Sequence, residues 1–148
     1  MPPSPKVRPD VRVLTEITII AQLAQAKLDR RLPAGLTGSQ FGVLTHFMRR
    51  GGQASPAELA SAFQVTRGAM TNTLQKLAAQ GFVAIAGDAA DGRRKHVSLT
   101  RAGAAAYEAG VLAMKSDLES MRSAFTDQEF LAALPFLEAF RDWFDEHR

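Results

Sequence analysis

Apolar residues in the first part of the chain recur at helical spacing. A stripe with steps of three and four residues runs through Val13, Ile17, Ile20, Ala24 and Leu28. Because residues spaced in this way share one face of a helix, the pattern predicts a helix over residues 10–32. Further apolar residues at Leu14, Ile19 and Leu23 make the face wider than one neighbouring element would cover. Pro33 ends the pattern.

Three helix starts with clear capping chemistry follow in the middle of the chain. Residues 37–40 (Thr-Gly-Ser-Gln) and 55–58 (Ser-Pro-Ala-Glu) each fit a capping box, the second with proline at the first helical position. Thr66 is the cap expected for a third helix, over residues 66–80, whose inward face carries Met70, Leu74 and Leu77. The short connection between the second and third helices is typical of a helix-turn-helix.

The apolar period then changes from that of a helix to that of a strand. Residues 82–85 (Phe-Val-Ala-Ile) and 96–99 (His-Val-Ser-Leu) are typical of two short strands. The dipeptide Asp91-Gly92 between them favours a tight turn. The sequence therefore predicts a β-hairpin whose projecting part, the wing, covers about residues 86–97.

Two more helices are expected after the hairpin. Thr100 would cap the first, over about residues 101–122, and residues 126–129 (Thr-Asp-Gln-Glu) fit a capping box that opens the second. Pro135 lies inside the last helix and should kink it. The same helix carries an aromatic tail, which consists of Phe136, Phe140, Trp143 and Phe144.

Charge is distributed unevenly, although the net charge of the chain is only +3. Residues 49–101 contain eight Lys and Arg against three Asp and Glu, whereas residues 102–148 contain four against nine. A basic middle third can steer a small protein towards a polyanion. The alternative is that these charges simply solvate separate faces of the molecule.

Several classes of site are disfavoured by what the sequence lacks. The chain has no cysteine, and its three histidines, His46, His96 and His147, are far apart, so we expect no metal site and no cofactor. His46 would face either solvent or an inter-domain cleft, and we favour solvent. No phosphate-binding glycine loop and no nucleophile with a nearby base are evident, which argues against an enzyme and leaves no catalytic residues to assign.

The first residues and the hydropathy of the chain also suggest a location. Residues 1–9 include four prolines and are expected to form a disordered arm. No apolar run suits a signal peptide or reaches the roughly 18–20 residues that span a bilayer. We therefore expect a cytoplasmic protein without membrane contact.

The outer face of the third helix carries side chains suited to base recognition: Thr66, Arg67, Thr71, Asn72, Gln75 and Lys76. Arginine pairs with guanine, Asn and Gln pair with adenine, and threonine contacts the thymine methyl group in the major groove of duplex DNA. A solvated helix face often carries the same residue types. The hairpin favours DNA, because Arg93 and Arg94 stand at the tip of a projection that fits a minor groove. The alternative is that these cations only prevent the edge strands from pairing with strands of another molecule.

Taken together, residues 36–103 resemble the winged-helix domain of MarR-type regulators. The resemblance lies in residues 36–44 (LTGSQFGVL), 55–60 (SPAELA), 65–71 (VTRGAMT) and 88–100 (DAADGRRKHVSLT). It implies a mainly α-helical fold with a small β-hairpin wing (α+β). Residues 36–100 would form the winged helix-turn-helix domain, flanked by dimerisation helices in residues 10–35 and 101–148.

The resemblance also implies a function. The chain would be a homodimeric repressor of a pseudo-palindromic operator in double-stranded DNA, released by a small aromatic or anionic effector. Arg93 would enter the minor groove, oriented through a salt bridge to Asp91. The ligand-binding residues vary too much among relatives to carry over. The alternative is a winged-helix module that binds an acidic protein partner through the same surface and has no sequence-specific DNA binding.

Overall fold

The fold is mainly helical with one small antiparallel sheet, as predicted. The computed structural model describes residues 8–148. Along the chain the elements are α1 (Pro9–Arg31), α2 (Gly38–Arg50), β1 (Gln53–Ala54), α3 (Pro56–Phe63), α4 (Arg67–Ala79), β2 (Val83–Gly87), β3 (Lys95–Leu99), α5 (Arg101–Ala113), α6 (Lys115–Ala124) and α7 (Asp127–Glu146).

The helix starts follow from the capping residues. Thr37, Ser55 and Thr126 each accept a hydrogen bond from the amide three residues on, and the side-chain oxygen of the Gln or Glu at that position accepts one from the cap amide. Thr66 and Thr100 accept the equivalent bond without the return bond. These bonds satisfy amides that no helical carbonyl can reach. The predicted capping boxes are confirmed.

The sheet has the order β1-β3-β2, and both pairings are antiparallel. Val97 lies at its centre, paired with Ala54 on one side and Ile85 on the other, and is fully buried. The hairpin of β2 and β3 matches the prediction. Strand β1 was not predicted, since two residues show no period and form a strand only because β3 offers an open edge.

One apolar core lies between the helices of the middle region and the sheet. Leu44, Leu59, Leu74 and Leu77 are its largest fully sequestered side chains, each at most 1% exposed. All the buried apolar residues of the described part of the chain lie between Leu36 and Val97. We call residues 36–100 the head, and α1, α6 and α7 the flanking helices. Among the residues described, the flanking helices contain no buried residue.

The helix α5 joins the head to the flanking helices. Its Gly110 lies against the ring of Phe41 in α2, where an added Cβ would overlap that ring. The same ring stacks on Tyr107 of α5, with centroids 5.4 Å apart. This close contact fixes α5 on the head, because a larger residue at position 110 would force the two helices apart.

Two helix boundaries differ from the prediction. The arm proposed for residues 1–9 ends too late, because Pro9 already opens α1; residues 1–7 lie outside the described residues. The single helix predicted over residues 101–122 is two helices. Met114 has φ −93° and ψ 4°, and its amide bonds to Val111 three residues back, which closes α5 before α6 begins. Pro135 lies inside α7, as predicted, and its expected kink stays a prediction.

None of the helices in residues 8–148 is both long and apolar enough to cross a membrane.

Candidate nucleic-acid interface

The turn between α3 and α4 aims the second helix outward. It consists of three residues, of which Gln64 has the left-handed φ of 51°. The backbone strain at this non-glycine residue is offset locally, since the Gln64 amide bonds to Ala60 and Ser61 and its side chain donates to the Ser61 carbonyl at 2.7 Å. Thr66 then caps α4 by accepting the Ala69 N–H at 3.1 Å. The two helices thereby meet in a rigid corner.

The helix α4 has one buried face and one exposed face. Met70, Leu74 and Leu77 are buried in the head, as predicted. The six residues predicted to read bases, all of them exposed, are Thr66, Arg67, Thr71, Asn72, Gln75 and Lys76. This arrangement places their side chains on the outer surface, where the Thr66 hydroxyl also caps α4.

Two aspartates shape the tip of the wing. The carboxylate of Asp88 accepts the Ala90 N–H at 2.8 Å, and that of Asp91 accepts the Arg93 N–H at 3.0 Å. The Asp88 amide also donates to the Arg94 carbonyl at 2.8 Å, which closes the loop. Such turns need Asp or Asn, whose short side chains reach the backbone two residues on.

The contact between Asp91 and Arg93 differs from the expected one. The resemblance implied a salt bridge, but the carboxylate engages the backbone amide of Arg93, and the ion pairs found in residues 8–148 do not include these two side chains. Oδ1 of Asp91 accepts the Arg93 N–H, so the carboxylate fixes the backbone of Arg93 rather than its guanidinium. Arg93 and Arg94 are exposed at the tip.

A histidine in β3 supports the wing from its base. The His96 ring nitrogen Nε2 lies 3.3 Å from the Asp88 carboxylate. The Ala90 N–H, and after it His96, hold the pKa of Asp88 below its ordinary value. The Asp88 carboxylate thus joins the Ala90 N–H and the His96 ring at the base of the wing.

The exposed face of α4 and the wing line one cleft of about 920 Å³. Arg67 and Thr71 reach it from the helix, and Arg93 and Arg94 reach it from the wing. Lys95 and His96 also line it, and neither was predicted as a site residue. Thr66, Asn72, Gln75 and Lys76 lie outside the cleft on the same helix. Four cations face one lining carboxylate, that of Glu58, which gives the cleft a positive field suited to a polyanion.

A second cleft, of about 690 Å³, lies between α1, α2, α3 and α7. His46 lines it and is half-buried, so this residue takes the cleft position that was the less favoured of its two predicted alternatives. Burial, and then the charges of Arg49 and Arg50, lower the pKa of His46. Four arginines line this cleft: Arg49, Arg50, Arg141 and Arg148. Sequence analysis missed this group because its two pairs, one in α2 and one at the end of the chain, stand more than 90 residues apart.

The flanking helices present apolar surface without a covering element. Exposed side chains include Ile20 and Leu23 of α1, Leu131 of α7 and Trp143 of α7, each more than half exposed. Phe136, Phe140 and Phe144 form a chain of ring contacts along α7 with centroids 5.2–5.4 Å apart. Contiguous apolar surface of this kind marks an interaction site.

Comparison with known proteins identifies relatives of this architecture. Residues 34–94 match the model of the MarR family. No curated protein sequence matches the chain at a significant level. Among solved structures, wild-type MarR from E. coli is 28% identical, with a TM-score of 0.70 over 92% of this chain and 98% of that one.

Two further structures add context. A cysteine-to-serine variant of E. coli MarR in complex with operator DNA is 27% identical, with a TM-score of 0.67, over 93% of this chain and 99% of that one. BpsR from Bordetella bronchiseptica, whose DNA binding is regulated by 6-hydroxynicotinic acid, is 25% identical, with a TM-score of 0.67, over 87% of this chain and 98% of that one.

Proposed function

We propose that the chain is a transcriptional regulator of the MarR type, which represses transcription as a homodimer bound to duplex DNA. The observation that carries this proposal is the cleft shared by α4 and the wing, where Arg67 and Thr71 stand beside Arg93 and Arg94. In the proposed complex α4 enters the major groove and the wing tip enters the adjacent minor groove.

Dimerisation is supported by the flanking helices. Their apolar side chains remain exposed in a single chain, and burying them against a second copy would remove them from water. A twofold dimer presents two copies of α4, so we propose a pseudo-palindromic operator with half-sites about 10 bp apart. Thr66, Asn72, Gln75 and Lys76 are proposed to contact bases or phosphates alongside the cleft residues.

The second cleft is proposed to receive the effector. Its arginines suit an anion, and the rings of Phe41, Phe63 and His46 suit an aromatic body. The regulation of BpsR by 6-hydroxynicotinic acid supports a ligand of this type. Binding there would release the operator.

The test has two steps, both with the full chain. Genomic DNA from the source organism is passed over the immobilised protein and the retained fragments are sequenced; a duplex with the enriched motif is then titrated by fluorescence anisotropy. Arg93→Ala is expected to weaken binding roughly five- to a hundredfold, the range for one well-placed arginine contact. Arg93→Ala should also reduce the salt slope by about one.

The control is Arg122→Ala, which removes the same side chain from α6 and should leave the affinity unchanged. Equal affinity of the wild type and Arg93→Ala for the duplex would contradict the wing assignment. Absence of any DNA binding at low salt would favour the protein-interaction module instead.

A further inference from the structure

Asp145, near the C-terminal end of α7, ties that helix to the head. Its carboxylate accepts a hydrogen bond from Nη2 of Arg50 at 2.9 Å and from Nε of Arg148 at 3.1 Å. The Nη1 atom of Arg148 in turn donates to the hydroxyl of Ser61 in α3 at 2.7 Å. We call the contacts of these four residues the clasp. It connects α7 to α2 and α3, which are the first two helices of the head.

The clasp lies in the wall of the second cleft. Among the lining residues that the structure describes, the two carboxylates are Glu58 and Asp145. Glu58 is engaged in the capping box, where its carboxylate accepts the Ser55 N–H at 2.8 Å. Of these two, Asp145 alone is paired with arginines that line the cleft. It therefore occupies the place that the charged group of an anionic ligand would take.

The ion pairs of the clasp are exposed enough to exchange. The Arg50 side chain retains 49% of its accessible surface, and the Asp145 side chain retains 29%. Pairs in contact with water contribute little stability, since solvent screens their attraction. The remaining positive field persists when the carboxylate leaves, because Arg49 and Arg141 stay in the wall. Burial, followed by the charges of Arg49 and Arg50, lowers the pKa of the neighbouring His46.

We propose that Asp145 is a built-in competitor of the effector: a small carboxylate that enters the second cleft displaces it from Arg50 and Arg148 and opens the clasp. Asp145 is thus a positioning residue, which holds α7 on the head while the cleft is empty. This regulation rests on the proposed function, because opening the clasp matters only if the head binds DNA.

Linkage sets the size of the effect. The ligand binds more weakly when it must first break the clasp than when the clasp is already open. The ratio of the two affinities equals the equilibrium constant that favours the closed clasp over the open one. The same factor couples the ligand to the orientation of the head relative to α7. Because two heads must meet one operator, a change in that orientation on each copy would lower DNA affinity.

The test compares Asp145→Asn with Glu146→Gln in the full chain. Both substitutions remove one negative charge from the last turn of α7, but Glu146 forms none of the ion pairs found in residues 8–148. Benzoate serves as the anionic probe and benzamide as its neutral isostere, and both are titrated by calorimetry without DNA. Thermal unfolding of each variant checks that it is folded.

Asp145→Asn is expected to bind benzoate about two- to fivefold more tightly than the wild type, the range that an exposed ion pair supports. Glu146→Gln should bind benzoate as the wild type does, and benzamide should not distinguish the three proteins. Unchanged or weaker benzoate binding by Asp145→Asn would overturn the proposal. So would an equal gain for benzamide, or no benzoate binding to Asp145→Asn at all. Since no DNA is present, this outcome is independent of whether the chain binds an operator.

Discussion

The head and the flanking helices differ in how far their apolar side chains are buried. The head closes a core in which Leu44, Leu59 and Leu77 have no exposed surface. In contrast, Leu23 of α1 and Leu131 of α7 are 65% and 66% exposed. The difference teaches that the head buries its apolar side chains within one chain, whereas the flanking helices keep apolar surface that the proposed dimer would cover.

The division also separates the two tasks of a regulator. The surface with cationic and polar side chains belongs to the head, and the unpartnered apolar surface belongs to the flanking helices. The clasp at Asp145 and the contact of Gly110 with Phe41 are two of the points where the regions meet. Substitutions in the head and substitutions in the flanking helices should therefore change different measured properties.

The largest effect is expected from charges placed on the apolar face of α1. The double substitution Ile20→Glu with Leu23→Glu would bury four carboxylates in a dimer interface, and uncompensated buried charge is strongly unfavourable. Light scattering should then give the mass of one chain, and operator affinity should fall by more than about a hundredfold, because avidity between half-sites is lost. Gln22→Glu adds charge at an exposed position of the same helix and should leave both values unchanged. A double variant that stays dimeric would contradict the assignment of this face.

The next largest effect should come from the core of the head. Leu77→Ala removes a fully buried side chain and is expected to lower the free energy of unfolding by about 2–5 kcal/mol, since the surrounding residues cannot fill the cavity. Gln75→Ala, on the exposed face of the same helix, should change it by less than about 0.5 kcal/mol. Urea unfolding followed by circular dichroism measures both. Equal losses for the two variants would mean that α4 does not pack as described.

A smaller effect is expected in the wing. Asp88→Ala removes the acceptor for the Ala90 N–H and the partner of His96. Operator affinity should fall about two- to tenfold, the range for one or two lost hydrogen bonds, because the wing tip loses its shape. Unfolding of the head should change little. Asp88→Asn keeps an oxygen for the Ala90 N–H and should restore most of the affinity. If Asp88→Asn binds the operator no more tightly than Asp88→Ala, the effect comes from the lost charge and not from the shape of the wing.

The smallest effect is a pH dependence between α1 and α6. Asp117 of α6 accepts hydrogen bonds from Arg31 at 2.9 Å and Lys27 at 3.2 Å, and these two cations lower its pKa. A carboxyl whose pKa is lowered by folding stabilises the folded state above its unfolded pKa, near 3.8, and loses that contribution as the pH falls through the folded value. Between pH 7 and pH 3 the temperature of thermal unfolding should therefore fall less steeply for Asp117→Asn than for the wild type. Parallel curves would exclude this pair as a source of acid sensitivity.

The sequence predicted the features that depend on neighbouring residues. The caps at Thr37, Ser55 and Thr126 are confirmed, because a hydroxyl, an amide and a Glu or Gln three residues on suffice to form them. The inward face of α4 is also confirmed, since helical periodicity alone sets it. The exposed positions of the predicted site residues agree with their proposed roles, which remain a prediction until DNA binding is measured.

The features that escaped prediction depend on distant residues or on weak local signals. Strand β1 exists only through its pairing with β3, and the clasp joins Arg50 to Asp145, 95 positions later. The break at Met114 occurs without glycine or proline, so no residue type marks it. Asp91 was expected to bind the Arg93 guanidinium, and nothing in the local sequence indicated that the backbone amide would take its place.

The central claim is that two chains act together on one duplex, and native mass spectrometry tests it most directly. The full chain is mixed with the duplex enriched from genomic DNA and sprayed from a volatile buffer at low salt. We predict a complex whose protein mass is twice 16.0 kDa, with no significant species of one chain on the duplex. A complex with a single chain, or a dimer that leaves the duplex free, would contradict the account.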